Sequence, residues 1–263
     1  MIKLLLIKRS KSNILEPKKE IPKKEIPKKE QPKKQIILTT KEDVKDNITF
    51  FKENGYLILS NVFNHDEINI FIREVNNYIK NNKTINNSGG ITIPDFIKYN
   101  EFINTKNIIN NEKINNKLKE IFNGDNYRFC SHNDIGINRI VGFHKDKLND
   151  KYASYETINI WASHENEKHE IVKVLLYLQE GDGLKIVPKS HNESTINCKN
   201  AIELKHKLGD VIIFDQRITH RGMEKQCLKK RILISFGFGK NNIFTDNFEK
   251  GTIQRQNDQN IKK

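Results

Sequence analysis

Residues 170–179 read EIVKVLLYLQ and residues 231–239 read RILISFGFG. Along a β-strand successive side chains point to opposite faces. In the first stretch Val172, Val174, Leu176 and Leu178 share one face, and Lys173, Leu175 and Tyr177 share the other. In the second, Ile232, Ile234, Phe236 and Phe238 oppose Arg231, Leu233, Ser235 and Gly237. Each strand therefore has one wholly apolar side and one side that mixes apolar with polar groups. A sheet covered by helices on one face, with a cavity on the other, produces this pattern. So does a half-exposed strand with Lys173 and Arg231 in water. Periodicity alone supports both equally.

Upstream of these strands the pattern changes. From Tyr127 onward the chain is a series of short β-like runs separated by Gly, Asn and Asp. Before it, residues 103–122 are mixed and expected to be helical. Residues 64–81, NHDEINIFIREVNNYIKN, place Ile68, Phe71, Ile72, Val75 and Ile79 at helical spacing. Asn64 or Asp66 suits the cap of that helix, and Glu67 and Glu74 suit a solvated face. Residues 48–63, ITFFKENGYLILSNVF, run from a short helix through Gly55 into a strand over 56–59. Helices first and many short strands afterwards predict a mainly β domain: a sandwich or jelly roll with an N-terminal helical layer.

The ends of the chain differ from this middle. Residues 17–34, PKKEIPKKEIPKKEQPKK, repeat every five residues and hold four of the six prolines. Proline at that period blocks helix bonding, and too little apolar surface is present to drive collapse. A solvated spacer over 1–35 is expected, followed by a folded domain over 36–250 and a polar C-terminal tail over 251–263. The net charge is +13, and residues 1–35, with twelve Lys/Arg against four Glu, carry +8 of it. The remainder is crowded with Asn, Ile and Lys, a bias that AT-rich coding produces unaided. The charge is therefore weak evidence for a nucleic-acid-binding protein, although weak contact through the tail is a candidate. Cys130, Cys198 and Cys227 form no CxxC pair, so neither a disulfide framework nor a thiolate zinc site is expected. The opening MIKLLLIKRSK has an apolar run of only Leu4 to Ile7, too short for a signal-peptide core or a membrane span. The terminal NIKK is not a peroxisomal tripeptide. An intracellular, cytoplasmic protein without a membrane partner is expected; the oligomeric state is open.

The chain offers two His-x-Asp pairs, His132/Asp134 in CSHNDIG and His144/Asp146 in IVGFHKDKLND. Strand period two lets either hold one ion between its side chains. HNDIG has the composition of a turn, which makes His132 most simply a turn residue. His144 ends a run of strand formers and opens onto a polar loop, where ligands of a cavity usually sit. HKD also resembles part of the phospholipase D signature, but that needs His-x-Lys with a more distant Asp. Further along, LGDVIIFDQRITHRG has a Gly209–Asp210 turn, a buried run Val211 to Phe214, and then His220. Two histidines and a carboxylate make the facial triad of non-haem Fe(II) oxygenases. Arg231 follows on the mixed face of its strand, where a closed cavity would require an anion to offset its desolvation. A dicarboxylate supplies one.

Together these stretches resemble the phytanoyl-CoA dioxygenase-like branch of the Fe(II)/2-oxoglutarate dioxygenases. The likeness rests on FFKENGYLILSNVFNHDEINIF, FHKD, VKVLLYLQEGDGLKIVPKSH, and GDVIIFDQRITHRG followed by KKRILISF, in that order over residues 48–240. The glycine usual in the Pro-Gly-Ser-His segment is Lys189 here. The resemblance implies a double-stranded β-helix (a jelly roll, cupin-like) with N-terminal helices packed on one sheet. It implies Fe(II) on His144, Asp146 and His220, and leaves His132/Asp134 without a metal role. It further implies 2-oxoglutarate clamped by Arg231 and O2 as co-substrate. Strand alternation makes Tyr177, Lys173 and Ser235 candidates for the same pocket. The implied outcome is hydroxylation of a small-molecule or acyl substrate with release of succinate and CO2, since related halogenases replace the carboxylate with a small residue. His191 in PKSH resembles a structural position, and His65, His164, His169 and His206 read as surface or loop residues. The polar stretch between Asp146 and Val172 is expected to contribute to a substrate lid. The other classes are a non-catalytic jelly-roll metal-binding module and the basic nucleic-acid-binding protein. The complete triad plus arginine disfavours the first, and the lack of a zinc-finger or RNP-like motif disfavours the second.

Overall fold

The computed structural model describes residues 43–87, 89–222 and 230–261. The repeat segment, Cys227 and the spacer expected over 1–35 lie outside the described residues. Among those described, ten strands and four α-helices are present, and every strand pairing is antiparallel.

Helix α1 (Asp43–Asn54) leads through Gly55 into strand β1 (Tyr56–Leu59), and α2 (His65–Asn81) follows. Asn64 is the cap of α2: its side chain accepts from the Asp66 and Glu67 amides, and Glu67 accepts from the Asn64 amide. Glu67 is thus part of the cap. Glu74 is not merely solvated either, since its carboxylate accepts from the amides of Asn104 and Thr105 and from both of their side chains. The stretch expected to be helical divides into a 3₁₀ turn, Thr105–Asn110, and helix α3 (Glu112–Phe122), which Asn111 caps.

The remaining strands are β2 (Ile85–Asn87), β3 (Gly90–Pro94), β4 (Tyr127–Ile137), β5 (Ile171–Tyr177), β6 (Gly181–Ile186), β7 (Ile202–His206), β8 (Val211–Asp215), β9 (His220–Arg221) and β10 (Ile232–Lys240). They form a seven-stranded sheet in the order β1-β8-β5-β10-β4-β3-β2 and a three-stranded sheet in the order β7-β6-β9. Val172, Val174, Leu176, Ile232, Ile234, Phe236 and Phe238 join one core with Ile68, Phe71 and Val75 of α2 and Ile114, Leu118 and Phe122 of α3. Leu175 and Tyr177 join a second core with Leu184, Ile186 and Leu204 of the small sheet. The alternation thus has its first explanation: helices cover one face of the large sheet, and the other faces a second sheet. Lys173 is buried there rather than solvated.

Helix α4 (Ile243–Ile261) corrects the expected tail. Residues 251–261 continue it, and it packs against β4. Asn242 caps its start by accepting from the Phe244 and Thr245 amides. Gly239 permits the approach, because a Cβ there would lie 2.3 Å from Thr245 Oγ1. Its contact face mixes apolar and polar groups: Phe248 joins a small core with Cys130, Leu148 and Ile171, Arg255 donates to Asp134, and buried Gln256 donates to the Ser131 carbonyl. With few apolar residues on that face, a hydrophobic pattern carries little signal for this helix.

Candidate active site

β9 is the hinge of the site. His220 and His144 exchange backbone hydrogen bonds, each amide donating to the other's carbonyl at 2.9 Å. On its other side His220 pairs with Ile186 of β6. The Asp146 amide donates to the Gln216 carbonyl at 3.1 Å. Lys145, between the two, points away: its Nζ donates to the carbonyls of Ser190 at 2.6 Å and Arg217 at 2.7 Å. Burial pulls this lysine down to about 8. The residue between His144 and Asp146 therefore ties three segments together behind the site, a role that the sequence reading did not assign.

The side chains of His144, Asp146 and His220 converge, with one candidate ligand atom from each lying within 4.8 Å of the others. His144 Nε2 is 3.4 Å from Asp146 Oδ1, and His220 Nε2 is 3.7 Å from Asp146 Oδ2. The other ring nitrogens are engaged by carbonyls, His144 Nδ1 with Gly142 at 2.8 Å and His220 Nδ1 with Ile218 at 3.0 Å. A ring nitrogen that donates to a carbonyl fixes the tautomer and leaves a lone pair on Nε2. Ligands bound to one face of an ion at about 2.1 Å are separated by about 3 Å, close to the 3.4 and 3.7 Å found here. Burial opposes protonation of His144, but hydrogen bonding to Asp146 and its charge raise the pKa. Burial lowers His220 to about 4. Burial would raise Asp146, yet Lys173, His220 and His144 hold it well below the carboxylate range. Two imidazoles and an ionised carboxylate fit a borderline divalent ion with open positions.

These three residues line a cavity of ≈ 150 Å3 together with Arg231, Tyr177, Ser235 and others. The Arg231 guanidinium lies 4.4 Å from the Tyr177 ring centroid and donates to the Gly183 carbonyl at 2.7 Å. Tyr177 also stacks on His206, at 4.6 Å. Arg231 and Tyr177 are thus brought together. Lys173 is not with them: its Nζ is 3.9 Å from Asp146 Oδ2 and 5.2 Å from the Phe248 ring centroid. Lys173 lies four residues before Tyr177 on the same face of β5, which carries it to the Asp146 carboxylate instead.

The His132/Asp134 pair is corrected in place. Neither residue is in a turn; both lie in β4, and both line the cavity. The turn-like composition belongs to a bulge. Between Phe236 and Phe238 the register on β4 jumps from Asn133 to Phe129, and Ser131 has φ +59°. Asn133 uses its side chain to accept from the Ile97 amide and donate to Asp95. Asp134 is ion-paired to Arg255 at 2.8 Å, and His132 Nε2 lies 3.3 Å from Ser235 Oγ. Burial lowers His132 to about 3, so it is neutral. His169 and His206, expected at the surface, are buried, whereas His65 and His164 are exposed. Buried His191 approaches the Lys52 carbonyl at 3.2 Å. The polar stretch expected as a lid includes a 3₁₀ turn, Asp150–Tyr155, and is strapped to α4 by Tyr152–Asp258 and Asn247–Thr157 hydrogen bonds.

The fold is shared with solved structures. HygX from Streptomyces hygroscopicus, with nickel and 2-oxoglutarate bound, aligns with TM-score 0.58 at 15% identity over 78% of this chain and 88% of its own. AviO1 from Streptomyces viridochromogenes Tue57 gives 0.59 at 13% over 77% and 97%. SnoN, a non-heme alpha ketoglutarate dependent epimerase from nogalamycin biosynthesis, gives 0.58 at 10% over 76% and 84%. No family model and no curated protein matches the sequence. No helix among the described residues is long and apolar enough to cross a membrane.

Proposed function

We propose that the chain is an Fe(II)- and 2-oxoglutarate-dependent oxygenase with a double-stranded β-helix core. The carrying observation is the convergence of His144, Asp146 and His220 in one cavity with Arg231. His144, Asp146 and His220 would hold the iron, with ring tautomers set by the Gly142 and Ile218 carbonyls. Arg231, braced by Tyr177 and Gly183, receives the distal carboxylate of 2-oxoglutarate; a charged hydrogen bond of this kind contributes about 1.5–3 kcal/mol. Iron held by these residues would supply O2 activation, one oxygen atom going to the succinate formed from 2-oxoglutarate with loss of CO2 and the other to the substrate. His220 is buried, whereas the side chains of His144 and Asp146 keep exposures of 34% and 28%, which leaves an open path to the metal position. Retention of a carboxylate at Asp146 supports hydroxylation, and the order of motifs from FHKD to RILISF supports a phytanoyl-CoA dioxygenase-like enzyme.

The test is Fe(II)-dependent succinate formation from 2-oxoglutarate, measured beside Ni(II) binding. Ala at His144, Asp146 or His220 should abolish turnover and weaken metal binding. Arg231→Ala should raise the 2-oxoglutarate requirement about tenfold or more at unchanged metal affinity. His132→Ala should keep its metal. A 132 variant that loses the metal while the 144 variant keeps it would overturn the ligand assignment.

A further inference from the structure

A second arginine enters the cavity, and nothing in the site so far uses it. Arg139 lines the same space as the three converging side chains. Its side chain folds back over Gly136 of β4, where a Cβ would stand 3.1 Å from Arg139 Cδ. Arg231 diverges from it, reaching over Tyr177 of β5 to Gly183 of β6. Arg139 Nε is buried without a hydrogen-bond partner, and no side chain among the described residues forms an ion pair with this guanidinium. Burial pulls its pKa down, while the charges of Asp134 and Asp146 oppose that pull. Both carboxylates have other obligations, Asp134 to Arg255 and Asp146 to the two histidines and Lys173.

Charge balance shows what is missing. A divalent ion, the Asp146 carboxylate, a 2-oxoglutarate dianion, Arg231 and the buried Lys173 ammonium sum to +1. The Asp134–Arg255 pair is neutral, and so is His132. Arg139 is then an excess buried cation, and a guanidinium in such a place needs a bidentate anion to offset its desolvation. We propose that Arg139 docks an anionic group of the primary substrate, a carboxylate or a phosphate, so that the oxidised molecule is an acid. This rests on the oxygenase reading above.

The test uses full-length protein loaded with Ni(II) and saturating 2-oxoglutarate, titrated calorimetrically with benzoate, phenyl phosphate and the neutral isostere benzamide. Wild type should bind at least one of the two anions about tenfold more tightly than benzamide, and which one is bound identifies the group. Arg139→Gln should erase that preference and Arg139→Lys should keep only the part that charge alone supplies, with nickel and 2-oxoglutarate affinities within about twofold in all three. Absence of anion binding by wild type, equal binding of benzamide, or an unchanged preference in Arg139→Gln overturns the proposal. So does a loss of 2-oxoglutarate affinity in Arg139→Gln, which would make Arg139 a second co-substrate clamp. If wild type binds no 2-oxoglutarate, the oxygenase reading falls by itself. The benzoate–benzamide comparison on the unloaded protein then still decides for or against Arg139.

Discussion

At the scale of single residues, the two histidines of the triad differ in a way that titration can read. His144 has its pKa raised by Asp146, whereas His220 is lowered to about 4 by burial. Above about pH 4 His144 is the ring of the two that takes up a proton, so metal binding displaces its proton and none from His220. Ni(II) affinity should fall with acidity at about one tenfold step per pH unit at most. A slope near two would show both rings protonated. His144, Asp146 and His220 were legible because each stands where a strand-forming run meets Gly, Asn or Asp, and because their order matched a known set. His132 was misread because a bulge and a turn are written in the same residues. Ser131 supplies the left-handed backbone and Asn133 the local hydrogen bonds, and both would serve a turn equally well. Arg139 could have been found only by knowing that β4 bends its neighbour back across Gly136.

At the scale of elements, α4 is held by ions and amides as well as by Phe244 and Phe248. The Asp134–Arg255 pair is its ionic tie to β4, with side-chain exposures of 9% and 21%. Asp134→Ala leaves Arg255 facing buried surface without its anion and should cost about 2 kcal/mol in urea unfolding. The double variant Asp134→Ala/Arg255→Met should recover much of that, since both charges are gone. Equal loss in the single and double variants would mean that the pair contributes only as packing. The strands were readable for the opposite reason: β5 and β10 bury one apolar face in full, so their period is written in the sequence. What periodicity left open, a covered face or a wet one, depended on a second sheet and a helix contributed by distant parts of the chain.

At the scale of the whole molecule, acid should loosen the metal-free protein early. His132 lies at about 3, and His169 and His220 at about 4, all lowered by burial. Free histidine titrates near 6.5, so between that pH and about 4 the unfolded chain takes up protons that the folded chain refuses. Stability therefore rises with pH across that window and is lost as pH falls through it, by about 1.4 kcal/mol per unit for each such ring. His144, raised instead, works in the other direction. Urea midpoints at pH 7, 6 and 5 should fall in order, and His169→Gln should flatten part of the slope. Constant midpoints would show that the rings are not buried in neutral form. The order of the large sheet adds a kinetic consequence. β1 pairs with β8, with Tyr56 opposite Phe214, and β10 pairs with β4, with Ile232 opposite Ile137. Few partners are neighbours along the chain, so closure over long loops must precede most pairing, and folding should be slow. His144 and His220 meet only after that closure. An ion added during refolding thus arrives after the rate-limiting barrier, leaving the refolding rate alone and lengthening the lifetime of the native state.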